Sequence, residues 1–109
     1  MTKSNDSMKF PEPPLSLSQE ARDIWRTIVS GWKIDAAGQL ILASGLEAFD
    51  EMRLAQAILK KEGSGFQDRF GQPKAHPQTI VLRDARAAYL RTLKLLNLEL
   101  QKESREDAK

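Results

Sequence analysis

Apolar residues recur with a helical period in three stretches of this chain. In the first, Ala21, Ile24, Trp25, Ile28, Val29 and Trp32 lie 3, 4, 7, 8 and 11 positions apart counted from Ala21, which marks one face of an amphipathic helix. Arg22, Asp23 and Arg26 fall on the opposite face. Ser18 is placed to cap free N–H groups at the helix start, and Glu20 then sits where the helix dipole favours negative charge. Ser16 with Gln19 forms a competing capping box. Gly31 predicts the end of this helix.

The second stretch starts at the cap candidate Asp35 and meets no proline between Ala36 and Glu62. Ile41, Gly45, Ala48, Met52, Ala55 and Leu59 form one stripe, with Leu42, Leu46 and Phe49 beside it. This predicts a helix of about 26 residues, roughly 40 Å long. Such a helix outruns the core that a chain of this size offers, so it calls for another long helix or another subunit.

Between the second and third stretches lies Gly63-Ser64-Gly65-Phe66-Gln67-Asp68-Arg69-Phe70-Gly71-Gln72-Pro73-Lys74-Ala75-His76-Pro77. Glycine and proline stop both helices here, and a small β-hairpin or tight loop near residues 64–75 is expected. Pro77 suits the first turn of the third helix. There Leu82, Ala85, Tyr89, Leu93, Leu96 and Leu100 make a continuous stripe, while Ile80, Val81, Leu90, Leu95 and Leu98 fall off it. A helix that is apolar on several sides is normally buried on several sides. A three-helix monomer buries only one face of its last helix, so the extra leucines point to an oligomer. The expected fold is mainly α: a helical hairpin of long helices plus an N-terminal helix, carrying the short insert and assembling as a ring-forming oligomer.

Composition sharpens this picture. At 109 residues the chain reads as one domain of limited core. Residues 1–14 are polar and hold three of the five prolines, and residues 102–109 are almost all charged. They read as a flexible N-terminal tail and a charged C-terminal tail around a helical domain at 15–101. There is no cysteine, so disulfides and thiolate metal sites are excluded. No apolar run approaches the length of a membrane span, and the start lacks the apolar stretch of a signal peptide. A soluble intracellular protein without membrane contact or cofactor is expected.

The formal net charge of +2 says little by itself. Its distribution says more. Residues 38–62 hold three basic and four acidic groups, whereas residues 78–101 hold Arg83, Arg86, Arg91 and Lys94 against Asp84 and Glu99. At 100° per residue Arg83 and Lys94 nearly superimpose, with Arg86 and Arg91 on either side. The strip reads either as a phosphate-contacting surface or as a solvated face. Arg69 and Lys74 stand in the insert, as a second contact candidate or as a plain polar turn. Phe66 and Phe70 are expected to pack on the helices rather than to stack on bases. His76, the only histidine, precedes Pro77 and is assigned a local structural role. Asp50-Glu51 reads as solvated charge. No phosphate-binding loop, metal-ligand cluster or nucleophile triad can be assembled, so no enzyme activity is expected. A helix-turn-helix across residues 18–62 is disfavoured, because the second helix is too long and its start carries no basic residue.

The order of these elements resembles the small subunit of bacteriophage terminase. The matching residues are Leu17-Ser18, Ala21 and Ile24-Trp25, then Asp35, Lys61-Glu62-Gly63, Gly71-Gln72-Pro73-Lys74, His76-Pro77 and Leu95-Leu96-Asn97-Leu98. They span residues 15–100. Asn97 stands where relatives often carry glycine, and asparagine tolerates the same left-handed backbone. The resemblance implies a non-enzymatic DNA-packaging protein in the host cell cytoplasm. Such a protein binds double-stranded viral DNA, forms a homo-oligomeric ring, and recruits or regulates the large terminase subunit with its ATPase and nuclease. It supplies no fixed DNA-binding residues, so Arg69, Lys74, Arg83, Arg86, Arg91 and Lys94 are named on charge geometry. Met52, Leu59, Leu90, Leu93, Leu96 and Leu100 are the interface candidates. The other reading is a helical protein–protein interaction module, an adaptor or antitoxin-like dimer, without nucleic-acid binding.

Overall fold

The computed structural model describes residues 10–63 and 65–97, apart from the side chain of Phe66. The described chain is mainly helical: α1 (Gln19–Gly31), α2 (Ala36–Glu62), β1 (Gly65–Gln67), β2 (Pro73–Ala75) and α3 (Gln78–Leu95) follow in order.

Each of the first two helix starts has a chemical cause. The Ser18 Oγ accepts a hydrogen bond from the Ala21 N–H at 3.0 Å, and Asp35 Oδ1 accepts one from the Gly38 N–H at 2.8 Å. Both satisfy donors that a helix cannot pair internally. At the end of α2, Gly63 takes φ 86° and its N–H donates to the Leu59 carbonyl. A side chain would be strained at that angle. Past α3, Asn97 adopts φ 61°, the left-handed conformation its short polar side chain tolerates.

α2 is the spine, because its apolar residues meet both other helices in one core. Leu42, Leu46, Phe49 and Met52 share one buried cluster with Leu17, Ala21, Trp25, Ile28 and Val29 of the N-terminal side and with Ala85 of α3. α3 runs antiparallel to α2: Gly38 lies by Leu96, Gly45 against Thr92, Phe49 beside Tyr89, and Glu62 beside His76. Gly45 permits the closest approach, since a Cβ built there falls 2.5 Å from Thr92 Cβ. The Phe49 and Tyr89 rings pack at 5.2 Å between centroids, tilted by 58°, a favourable aromatic geometry.

Two features depart from the expectations above. Asp50 is not simply solvated charge. Its carboxylate accepts from the Ser18 N–H at 2.8 Å and the Ser18 hydroxyl at 2.5 Å, tying the start of α1 to α2. The carboxylate thus orients the hydroxyl that caps α1. Residues 11–14, assigned to a tail on composition, lie against α1: Pro13 is buried, and Trp25 Nε1 donates to the Pro11 carbonyl at 2.9 Å. The buried indole N–H needs an acceptor, and this segment supplies it.

Candidate nucleic-acid interface

The sequence-derived basic strip lies on the outer face of α3. The inner face presents Ala85 and Thr92, both buried, with Leu82, Tyr89, Leu93 and Leu96 half-buried beside them. Arg83, Arg86, Arg91 and Lys94 are all exposed. Eleven residues separate Arg83 from Lys94, a rise of about 16 Å, roughly half a turn of B-form DNA. Among the described residues only Arg83 of these four forms an ion pair, to Asp84 at 3.3 Å. Both partners are well exposed, and such pairs contribute little. Arg91 lies on a groove between α2 and α3 that Glu47 and Glu51 also line. Those carboxylates lower the positive potential there, as Asp84 does beside Arg83, so Arg86 and Lys94 make the more favourable part of the strip for an anion.

Apolar residues interrupt the same outer face. Ile80 is 54% exposed and Leu90 55%, while Leu95, 65% exposed, opens onto the grooves between α2 and α3, and on α2 Leu40 and Leu54 are exposed as well. Among the described interface candidates, Leu90 is the one left open. Met52 is buried within the chain, Leu93 and Leu96 pack against its core, and Leu59 is half-buried. Leu98 and Leu100 lie outside the described residues. Residue spacing alone did not single out Leu40 or Leu54, because exposure on α2 depends on where α1 and α3 land.

Arg69 and Lys74 stand on the insert, where β1 and β2 pair antiparallel with Gly65 opposite Ala75 and Gln67 opposite Pro73. Side chains from Gly65 to Ala75 are exposed, apart from half-buried Asp68 and the Phe66 side chain, which lies outside what is described. Phe70 is therefore a correction: it does not pack on the helices but is 79% exposed. The reason is local. Asp68 Oδ1 accepts from the Phe70 and Gln72 N–H groups at 2.9 Å each, and the Gly71 N–H donates to the Asp68 carbonyl. With Gly71 at φ 80° the chain closes a tight loop that turns the ring outward.

His76 anchors the base of this hairpin. The Gln78 N–H donates to Nδ1 at 3.0 Å, so Nε2 carries the proton that meets Glu62 Oε1 at 2.7 Å. The histidine thus caps α3 and holds its start to the end of α2. On the opposite side, Arg53 makes a forked contact to Glu20, at 3.2 and 3.0 Å, and stacks over Phe49 at 4.9 Å. The hydrogen bond to Glu20, then its charge, raises the Arg53 pKa, and burial raises that of Tyr89. Both shifts belong to the packing of the α1–α2–α3 junction.

Among the described residues no group of three or more His, Asp or Glu side chains is gathered for a metal ion. No described helix is long and apolar enough to cross a membrane. No family model, curated protein or solved structure matches the chain.

Proposed function

We propose that this chain is the small subunit of a phage terminase. It binds the double-stranded DNA to be packaged and assembles with copies of itself into a ring. It also recruits or regulates a large subunit that carries the ATPase and nuclease chemistry, in the host cytoplasm. Its own role is recognition and regulation, not catalysis. The observation that carries the reading is the outer face of α3, where exposed cations alternate with exposed apolar side chains. Cations at this spacing suit phosphates, and apolar residues between them suit a neighbouring subunit.

The test is a salt titration of duplex binding for the chain and for the variant Arg83→Ala/Arg86→Ala/Arg91→Ala/Lys94→Ala. The variant should bind more weakly, and its dependence on log salt should flatten by about one unit for each phosphate it no longer neutralises. Unchanged binding and slope would refute the strip. Native mass spectrometry checks the assembly, for which a closed ring is expected.

The exposed Leu40, Leu54, Ile80, Leu90 and Leu95 also favour a second reading, a helical module that binds only protein. Absence of duplex retardation at low salt, together with a dimer in native mass spectrometry, would select it.

A further inference from the structure

We infer that the hairpin tip is a wedge for the minor groove of duplex DNA, in which Phe70 enters a base step and Arg69 lies in the groove beside it. The inference rests on the DNA-binding reading above and adds a deformation of the DNA to it.

Three observations converge on the tip. First, Phe70 is the most exposed aromatic ring among the described residues, at 79%. Second, the backbone that carries the ring is held. The Asp68 side chain pins the backbone at Phe70 and Gln72, and Gly71 supplies the positive φ that closes the loop. The Arg69 guanidinium lies over one side of the ring at 5.6 Å from its centroid, and it swings off the ring into the groove when the ring enters the step. A loop held this way loses little conformational freedom when the ring inserts. Third, cations outnumber acids around it, four (Lys60, Lys61, Arg69, Lys74) to two (Glu62, paired with His76 at the hairpin base, and Asp68). Arg69 and Lys74 are exposed cations, and Lys60 and Lys61 close the helix that leads into the hairpin. The acid of the hairpin, Asp68, is committed to its own backbone N–H groups.

An aromatic beside an arginine is also a common protein hot spot. The excess of cations favours the polyanion. Apolar wedges flanked by arginine that unstack one step and bend the duplex are an established solution to minor-groove binding. The strip on α3 would supply phosphate contacts, and the tip would supply the bend.

The experiment uses the full chain and a duplex of about 30 base pairs labelled with donor and acceptor dyes at its ends. Anisotropy reports binding and energy transfer reports bending in the same sample. Wild-type protein should raise energy transfer. Phe70→Ser should keep binding within about tenfold, because phosphate contacts supply most of the affinity, yet abolish the rise in transfer. Phe70→Leu, which keeps an apolar wedge, should retain much of the bend. Because the ring is exposed, all three proteins should melt at the same temperature by circular dichroism.

Binding by wild type with no change in transfer overturns the wedge and leaves the DNA-binding reading standing. A bend that Phe70→Ser retains also overturns it, and leaves the ring to a protein partner. Failure to bind duplex at low salt overturns both readings.

Discussion

The two helices that flank α2 treat their apolar residues differently. On α1, Ala21, Trp25, Ile28 and Val29 are all buried, and the polar groups around them are tied back: Ser18 to Asp50, Glu20 to Arg53, Trp25 to Pro11. On α3 only Ala85 and Thr92 are buried, while Ile80 and Leu90 face outward among arginines and Leu95 opens onto the grooves beside α2. The difference comes from supply and demand for partners. α1 has one apolar stripe and one helix to receive it. α3 has apolar residues on several sides and one neighbour. Three helices cannot surround α3, so its surplus remains for something outside the chain.

Four sets of substitutions test that comparison, beginning with the largest effect. Trp25 is 3% exposed and at the centre of the α1 core, so Trp25→Ala should cost about 3–5 kcal/mol in urea unfolding. A loss below about 1 kcal/mol would show that the α1 side is not the stable half. Next comes Gly45→Ala. The new Cβ would meet Thr92 Cβ at 2.5 Å. No rotamer of Thr92 clears its own Cβ, so the helices must separate, at a cost of about 1–3 kcal/mol that outweighs the gain in helix propensity of about 1 kcal/mol. Thr92→Gly in the same background should recover part of the loss. A neutral Gly45→Ala would mean that α3 can shift freely on α2.

Asp50→Ala removes the acceptor of both Ser18 donors. A loss of about 1–2 kcal/mol is expected, with fraying of α1 visible as faster amide exchange at its start. The smallest effect belongs to the exposed apolar residues of α3. Ile80→Ser, Leu90→Ser and Leu95→Ser should each change unfolding stability by less than about 0.5 kcal/mol. Combined, they should reduce the assembled fraction in sedimentation velocity. A combined loss of stability as large as that of Trp25→Ala, at concentrations where the chain is dispersed, would abolish the contrast between the two sides.

Much of the local architecture is legible in the sequence because its causes are local. Ser18 and Asp35 act on N–H groups three positions ahead, so their roles as caps follow from the residue type and its place before an apolar period. The break at Asn97 follows from the tolerance of asparagine for positive φ. The basic strip is legible in the same way, since Arg83 and Lys94 share an azimuth on any helix that contains both. Asp50 escapes such reasoning because its partner is 32 residues away, and no spacing rule links them. Phe70 escapes it because hydrophobicity argues for burial, whereas the turn built by Asp68 and Gly71 directs the ring outward.

The sequence by itself thus determined the helices, the caps of the first two, the place of the insert and the excess of apolar surface on α3. Each of these depends on interactions within a turn or two of chain. Only the tertiary structure decided which residues of α2 lie in the core shared with α1 and α3. It also decided that Gly45 sets the closest crossing, and that Leu90, Leu95 and Phe70 stay open while Met52 does not. Those outcomes depend on packing between segments far apart in sequence, where volume and the direction of each side chain settle what residue type alone leaves undecided.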